Sequence, residues 1–211
     1  MQFEGRRILL INIVALLLFG FVTFSVVFTL PWVKEADSFI AMLMKQARHD
    51  AWTPWVLTLT DLNGFRGAAY MTCIVIALLG GYRLWRQALF FFIATWGSAI
   101  LFGMIKMTIG RMRPEMALLE VGGYSFPSGH TTMATAMAAA LYLIMKQLRS
   151  DRWWQWGWLF IALLWSLLIG TTRLYLGVHW FSDVVGGVGL GLWWVTLVWY
   201  LQSRYYRNTS M

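Results

Sequence analysis

The sequence predicts an all-α polytopic membrane protein: a bundle of six transmembrane helices, with a short amphipathic surface helix between the first two. Three observations carry this reading. Of the 211 residues, 59% are hydrophobic and 12% are charged, about half the charged share of roughly 25% found in soluble domains. Mean hydropathy is +0.62. Fourteen tryptophans suit the aromatic belts at the two faces of a bilayer. No linker, charge block or low-complexity tract divides the chain, so residues 1–211 are read as one domain.

Six apolar runs supply the spans, at residues 8–27, 67–82, 88–105, 131–145, 153–169 and 184–201. A helix needs about 20 residues to cross the hydrocarbon core, within a range of about 17–25. The first, third, fifth and sixth runs qualify directly. The second and fourth need flanking residues, such as Phe65 and residues 128–130, inside their helices. The first run follows Arg6 and Arg7 as a leader would, but it is too long, and Leu30-Pro31-Trp32 is a poor cleavage site. It is expected to be a retained span. Residues 34–63 are more polar. Within them, residues 36–48 place Phe39, Ile40, Leu43 and Met44 at the spacing of an amphipathic helix, a lid or packing element on the membrane surface. The single cysteine, Cys73, excludes an intramolecular disulfide and is expected to be a small buried hydrophobe.

The net charge of +8 does not point to nucleic acid. The basic residues sit in short clusters between apolar runs, where orientation signals and anionic-lipid contacts belong. With the amino terminus inside, nine Lys and Arg fall on the inner side: Arg6, Arg7, Arg83, Arg86, Lys146, Arg149, Arg152, Arg204 and Arg207. Eight fall outside, but three of these, Lys106, Arg113 and Arg173, have a chemical reason to be there. The short inner loops are almost purely basic, which predicts both termini in the cytoplasm.

Three clusters carry the chemistry. In Lys106-x6-Arg113-Pro114 the two cations are seven apart, so in a continuing helix they share a face, and Pro114 ends it. Arg offers a planar fork to phosphate oxygens and Lys a point charge. Arg111, between them, has no such spacing and is read as solvated. In Pro127-Ser128-Gly129-His130, Ser128 is a favoured N-cap at the start of the fourth span. Its helix presents free amides to an anion, and Gly129 allows close approach. In Arg173-x5-His179-x3-Asp183, the acid lies one turn beyond the imidazole and can accept its Nδ1 proton, leaving Nε2 as a nucleophile. Asp183 also lies near a helix N-terminus, where its charge is favoured. Arg173 is placed to share the pocket across the intervening loop. With six alternating spans, Lys106, Ser128, Arg173 and His179 all fall on one face. His49, in Arg48-His49-Asp50, is read as a solvated surface histidine.

These clusters resemble the three signature motifs of the type-2 phosphatidic acid phosphatase and vanadium haloperoxidase superfamily: Lys-x6-Arg-Pro, Pro-Ser-Gly-His and Ser-Arg-x5-His-x3-Asp. One departure is Thr172, where the family usually has Ser; the hydroxyl is kept. The resemblance implies that His179 is the nucleophile forming a phosphohistidine, with Asp183 as its orienting partner. It implies His130 as the general acid, with Lys106, Arg113, Arg173, Ser128 and the Gly129 amide holding the phosphoryl oxygens. It implies no metal, and the three His, one Cys and scattered acids suggest no ligand cluster. No cofactor and no obligate protein partner are expected.

The expected function is a membrane lipid phosphate phosphatase with its site on the extracytoplasmic face of the cell membrane. Candidate substrates are phosphatidylglycerophosphate, undecaprenyl diphosphate, phosphatidic acid and diacylglycerol pyrophosphate. Only twelve residues separate Pro114 from Pro127, little for a headgroup-reading domain, which suggests a broad substrate range. A lipid phosphotransferase could use the same pocket. A transporter could also place His and Asp in a membrane, but it would not need the three cations beside a Ser-Gly amide. A soluble haloperoxidase is at odds with six apolar spans.

Overall fold

Small residues decide how closely helices approach inside a bilayer, where there is no hydrophobic drive between them, and this chain concentrates such residues at 128–140 and 182–191. The computed structural model describes the backbone of residues 2–209 and the side chains of residues 6–206. Among the described residues there are eight helices and no strand: α1 (Gln2–Val27), α2 (Pro31–Gln46), α3 (Thr53–Asp61), α4 (Phe65–Gly81), α5 (Trp85–Ile109), α6 (Gly129–Leu148), α7 (Arg152–Tyr175) and α8 (Phe181–Thr209). The side chain of Arg207, counted above among the inner cations, lies outside the described side chains.

Helices α6 and α8 form the centre. Helix α8 packs against α1, α5 and α6, and α6 against α5, α7 and α8. Their crossing depends on glycine. A Cβ at Gly187 would lie 2.9 Å from the Ser128 carbonyl oxygen, and one at Gly191 2.7 Å from that of Thr132. Around them, Ala134, Ala136, Ala140, Phe90, Phe91 and Val195 are sealed from solvent.

The membrane-span expectation is met in part. Four helices are long and apolar enough to cross a bilayer: α1 from Arg6, α5, α7 and α8 to Tyr206. A fifth span arises if α3 and α4, bent by 51° at their junction, count as one broken span. Helix α6, expected as the fourth span, does not qualify by hydropathy. Its inward faces are threonine and alanine, nearly all buried by neighbouring helices, so protein rather than lipid is their solvent.

Three other expectations need correction. Helix α3 was not foreseen inside the polar stretch, although Pro54 in its first turn is a helix-start signal. Helix α2 is amphipathic but starts at Pro31, and the apolar residues expected on one face divide. Ile40 and Met44 are half-buried with the Val33 and Asp37 stripe, while Phe39 and Leu43 are exposed. Cys73 is exposed on α4 rather than buried. One turn of helix moved by a single position is enough to turn it outward, and a 17-residue apolar run has no pattern to fix that rotation.

The α6–α8 crossing makes a direct prediction. We expect Gly191→Ala to lower unfolding stability in detergent by about 1–3 kcal/mol, the usual cost of overpacking, despite alanine's better helix propensity. Gly157→Ala on α7, where nothing lies within 4 Å of the added carbon, should leave the melting temperature unchanged or raise it. The opposite ranking in a thermal unfolding assay would contradict the tight crossing.

Candidate active site

All eight residues singled out in the three clusters gather at one end of the bundle. They arrive from the C-terminal ends of α5 and α7, the N-terminal ends of α6 and α8, and the segments 110–128 and 176–180. A backbone bond joins two of the clusters, the Ser128 N–H donating to the Asp183 carbonyl at 3.0 Å.

Lys106 and Arg113 meet, but not through helical periodicity. Gly110 adopts φ +65° and closes α5, the left-handed cap that favours glycine, four residues before Pro114. The two cations converge because both grip the same turn. Lys106 Nζ donates to the carbonyls of Tyr124 and Ser125 at 2.7 and 3.1 Å. Arg113 donates to those of Gly122 and Gly123 at 3.2 and 3.1 Å, and to Val178 at 2.7 Å. A lysine has three N–H donors and an arginine five, so each retains a donor.

Arg173 lies in the last turn of α7 rather than in the loop beyond it. It is 4% exposed, its Nη1 donates to Thr60 Oγ1 at 2.9 Å, and its Nε is buried with no hydrogen-bond partner. An unsatisfied buried donor on a cation costs free energy unless an anion meets it. Thr60, in α3, also accepts from Thr172 Oγ1 at 3.1 Å. So the threonine that replaces the usual serine uses its hydroxyl to fix the residue that fixes Arg173. Thr60 was not visible as a site residue in the sequence.

Ser128 caps α6 as expected. Its Oγ accepts from Thr131 N at 3.5 Å and from Thr131 Oγ1 at 2.9 Å, which leaves the serine's own proton to donate. Gly129 and His130 occupy the first turn of α6, whose amides have no intrahelical acceptor. The His130 carbonyl accepts from Asn63 Nδ2 at 2.9 Å. A Cβ on Gly64 would lie 3.7 Å from His130 Nε2, so the imidazole sits against the α3–α4 bend.

His179 is 4% exposed and Asp183 has no exposed surface. His179 Nδ1 faces Asp183 Oδ2 at 3.3 Å, and Arg113 Nη1 faces His179 Nε2 at 3.3 Å. Arginine can only donate, so Nε2 is the acceptor and the proton resides on Nδ1. Burial pushes the imidazole down to about 4, against the upward pull of its bond to Asp183. It is therefore neutral at physiological pH. Asp183 Oδ2 also accepts from the Trp180 amide at 2.9 Å.

Arg111, read as solvated from its spacing, is the clearest correction. Its Nη1 donates to Asp183 Oδ1 and its Nη2 to Asp37 Oδ2, both at 2.6 Å. The pattern failed because Gly110 ends the helix, and in the non-helical segment beyond it Arg111 and Arg113 both face inward while Met112 between them is exposed. His49 is exposed as expected, with its backbone held by the Tyr175 hydroxyl. Among the described residues, no group of three or more His, Cys, Asp and Glu could hold a metal ion.

Residues 86–207 match the family model described as the PAP2 superfamily. The phosphatidylglycerophosphatase B of Bacillus subtilis is 29% identical over 171 residues, 75% of this chain and 77% of that protein. The lipid A 1-phosphatase of Rhizobium etli is 30% identical over 174 residues, 68% and 69% of the two chains. A solved structure, the transmembrane PAP2-type phosphatidylglycerolphosphate phosphatase from Bacillus subtilis, superposes with a TM-score of 0.82 at 26% identity. That superposition covers 92% of this chain and 96% of the other.

The site's dependence on Thr60 can be measured as oxyanion binding. Thr60→Val keeps the shape and removes the acceptor for Arg173. Because hydrogen bonds to charged groups contribute about 1.5–3 kcal/mol, we expect tungstate to bind at least about tenfold more weakly by calorimetry in detergent. An unchanged Kd would show that Arg173 is held without Thr60.

Proposed function

The chain belongs to the PAP2 superfamily, and from that premise we propose that it is a single-domain, multi-pass membrane lipid phosphate phosphatase working through a phosphohistidine. The observation that carries the mechanism is the His179 imidazole. Its Nδ1 proton is committed to Asp183, and its Nε2 lone pair faces the cations. Nε2 attacks phosphorus while Lys106, Arg113, Arg173, Ser128 and the Gly129 amide hold the phosphoryl oxygens, stabilising the charge that develops there. The phosphorus–oxygen bond to the lipid breaks, and His130 gives its proton to the departing oxygen. Water then attacks the phosphohistidine with His130 taking its proton, which releases phosphate and restores His179. No step draws on a cofactor.

The lipid class is supported by an apolar cavity of about 180 Å³ between α4, α6 and α7, lined by Met71, Met137, Ala138, Leu141, Ala162 and Trp165. Met137 is seven residues beyond His130 on α6, about 10 Å at the helical rise. Trp165 in its wall donates to Asn63 Oδ1 at 3.3 Å, and the same amide holds the His130 carbonyl. A hydrocarbon stem thus has room within a headgroup's reach of the imidazole. The relatives' names favour phosphatidylglycerophosphate and other lipids ending in a phosphate monoester, phosphatidic acid among them, with the diphosphates of undecaprenol and diacylglycerol as further candidates. Phosphate release by purified protein from such a panel in detergent, with EDTA present, tests the assignment. Release from none of them overturns it.

The two histidines separate by leaving group. His179→Ala should lose turnover on every substrate. His130→Ala should be severely impaired on an aliphatic phosphate monoester yet partly rescued on p-nitrophenyl phosphate, since help from a general acid scales with leaving-group basicity. Equal losses on both substrates would leave the division of roles unsupported, and the converse pattern would exchange them.

The site is proposed to face the extracytoplasmic side, with both termini in the cytoplasm. The cations at the opposite end support this: Arg86 stacks 4.1 Å from the Tyr206 ring and Arg149 4.8 Å from that of Trp154. In a Cys73→Ser background, a cysteine introduced at Val121 should react with a membrane-impermeant reagent in intact cells. One at Ser150 should not. The reverse pattern would place the site inside.

A further inference from the structure

The proposed chemistry uses Asp183 but not Arg111, which holds its other oxygen, nor Asp37, which holds Arg111. Asp183 Oδ2 serves His179, and Oδ1 accepts from Arg111 Nη1 at 2.6 Å. The same guanidinium donates to Ser182 Oγ at 2.7 Å and, through Nη2, to Asp37 Oδ2 at 2.6 Å. Asp37, 2% exposed on the surface helix α2, also accepts from the Ser182 N–H and Oγ, both at 2.8 Å. One cation is thus shared between two buried carboxylates on different helices, one of them the partner of the proposed nucleophile. A pair serving only to attach α2 would not need to share its cation with Asp183.

We propose that Arg111 and Asp37 are positioning residues that set the orientation and basicity of the His179–Asp183 pair. Arg111 fixes Oδ1, so that Oδ2 stays in line with Nδ1. Asp37 offsets the charge of Arg111, so that Asp183 keeps its full pull on the imidazole proton. The inference rests on the reading of His179 as nucleophile. Other charged or titratable groups facing His179 are Arg113 from the 110–128 segment, Lys106 from α5, Arg173 from α7 and His130 from α6. Arg111 and Asp37 act on it through Asp183.

The charges give the two variants opposite signatures. Asp37→Asn leaves more of Arg111's positive charge on Asp183. The imidazole should release its proton more readily, so the acid limb of kcat/KM moves to lower pH. Nε2 becomes a poorer nucleophile, so kcat falls. Arg111→Gln removes the cation, and the acid limb moves to higher pH. Both shifts should be about half a pH unit or more, the scale of a neighbouring charge. Each variant should lower kcat by about tenfold or more, as expected for coupled buried groups, with KM within about twofold because the phosphate-holding cations are untouched. The double variant Asp37→Asn/Arg111→Gln should bring the limb back towards its wild-type position.

The experiment is the pH profile of kcat/KM, with kcat and KM, for full-length protein in detergent on p-nitrophenyl phosphate and one lipid phosphate. Loss through KM alone, or equal loss of kcat with no displacement of the acid limb, would overturn the proposal and leave a structural tie. If a charge-removing variant does not fold, Asp37→Glu and Arg111→Lys carry the test. Each keeps its charge and changes its reach, so kcat should drop while the limb stays in place. Wild-type kcat in both overturns the idea. His179→Ala separates the two levels: if it remains active, the reading of the nucleophile fails first. If it is dead while the Asp37 and Arg111 variants behave as wild type, only this inference fails.

Discussion

A carboxylate with no exposed surface cannot remain charged without partners, and Asp183 is such a group. Its compensation organises this end of the molecule. The Trp180 amide, the His179 imidazole and the Arg111 guanidinium together bond both oxygens. Its carbonyl receives the Ser128 N–H that joins α6 to α8. Through Arg111 the same requirement reaches Asp37 and ties down α2. Each bond that neutralises the acid also positions something the chemistry uses, so satisfaction of one buried charge and assembly of the site are a single event.

The clusters were legible in the sequence because they are short and local. An Asp one turn after a His, or a Ser before a helix, fixes its own geometry, and both are found as expected. What failed were inferences that extended a period through a break. Lys106 and Arg113 were expected to align along one helix. Gly110 ends that helix, and the alignment comes instead from carbonyls of the 122–125 turn. The same break turned Arg111 inward. Asp37 and Thr60 were illegible for another reason: each acts across long sequence separations, on Ser182 and Arg173, from helices whose rotation composition does not specify. Helix α6, expected as the fourth span, is too polar to qualify as one, since a central helix wrapped by others packs against protein rather than lipid.

Apolar side chains cover the outside of the bundle and small ones its seams. That division explains why the fold tolerates charges at one end. The α6–α8 seam is too close for even a methyl group at Gly191. It holds the N-terminal ends of both helices, and therefore Ser128 and Asp183, in a fixed relation that no loop could provide.

At the reacting end, Lys106, Arg113 and Arg173 stand against Asp183 and, beside Arg173, Asp61, since Arg111 is matched by Asp37. The pocket therefore carries surplus positive charge that its own acids do not cancel. A bilayer surrounds such a pocket with phosphodiesters, each with a single negative charge and a bulky second substituent on phosphorus. A terminal phosphate presents two charges and an unhindered face. On the proposed reading, an enzyme immersed in a vast excess of near-substrates need not read their alcohol groups to ignore them, because surplus positive charge favours a dianion over a monoanion.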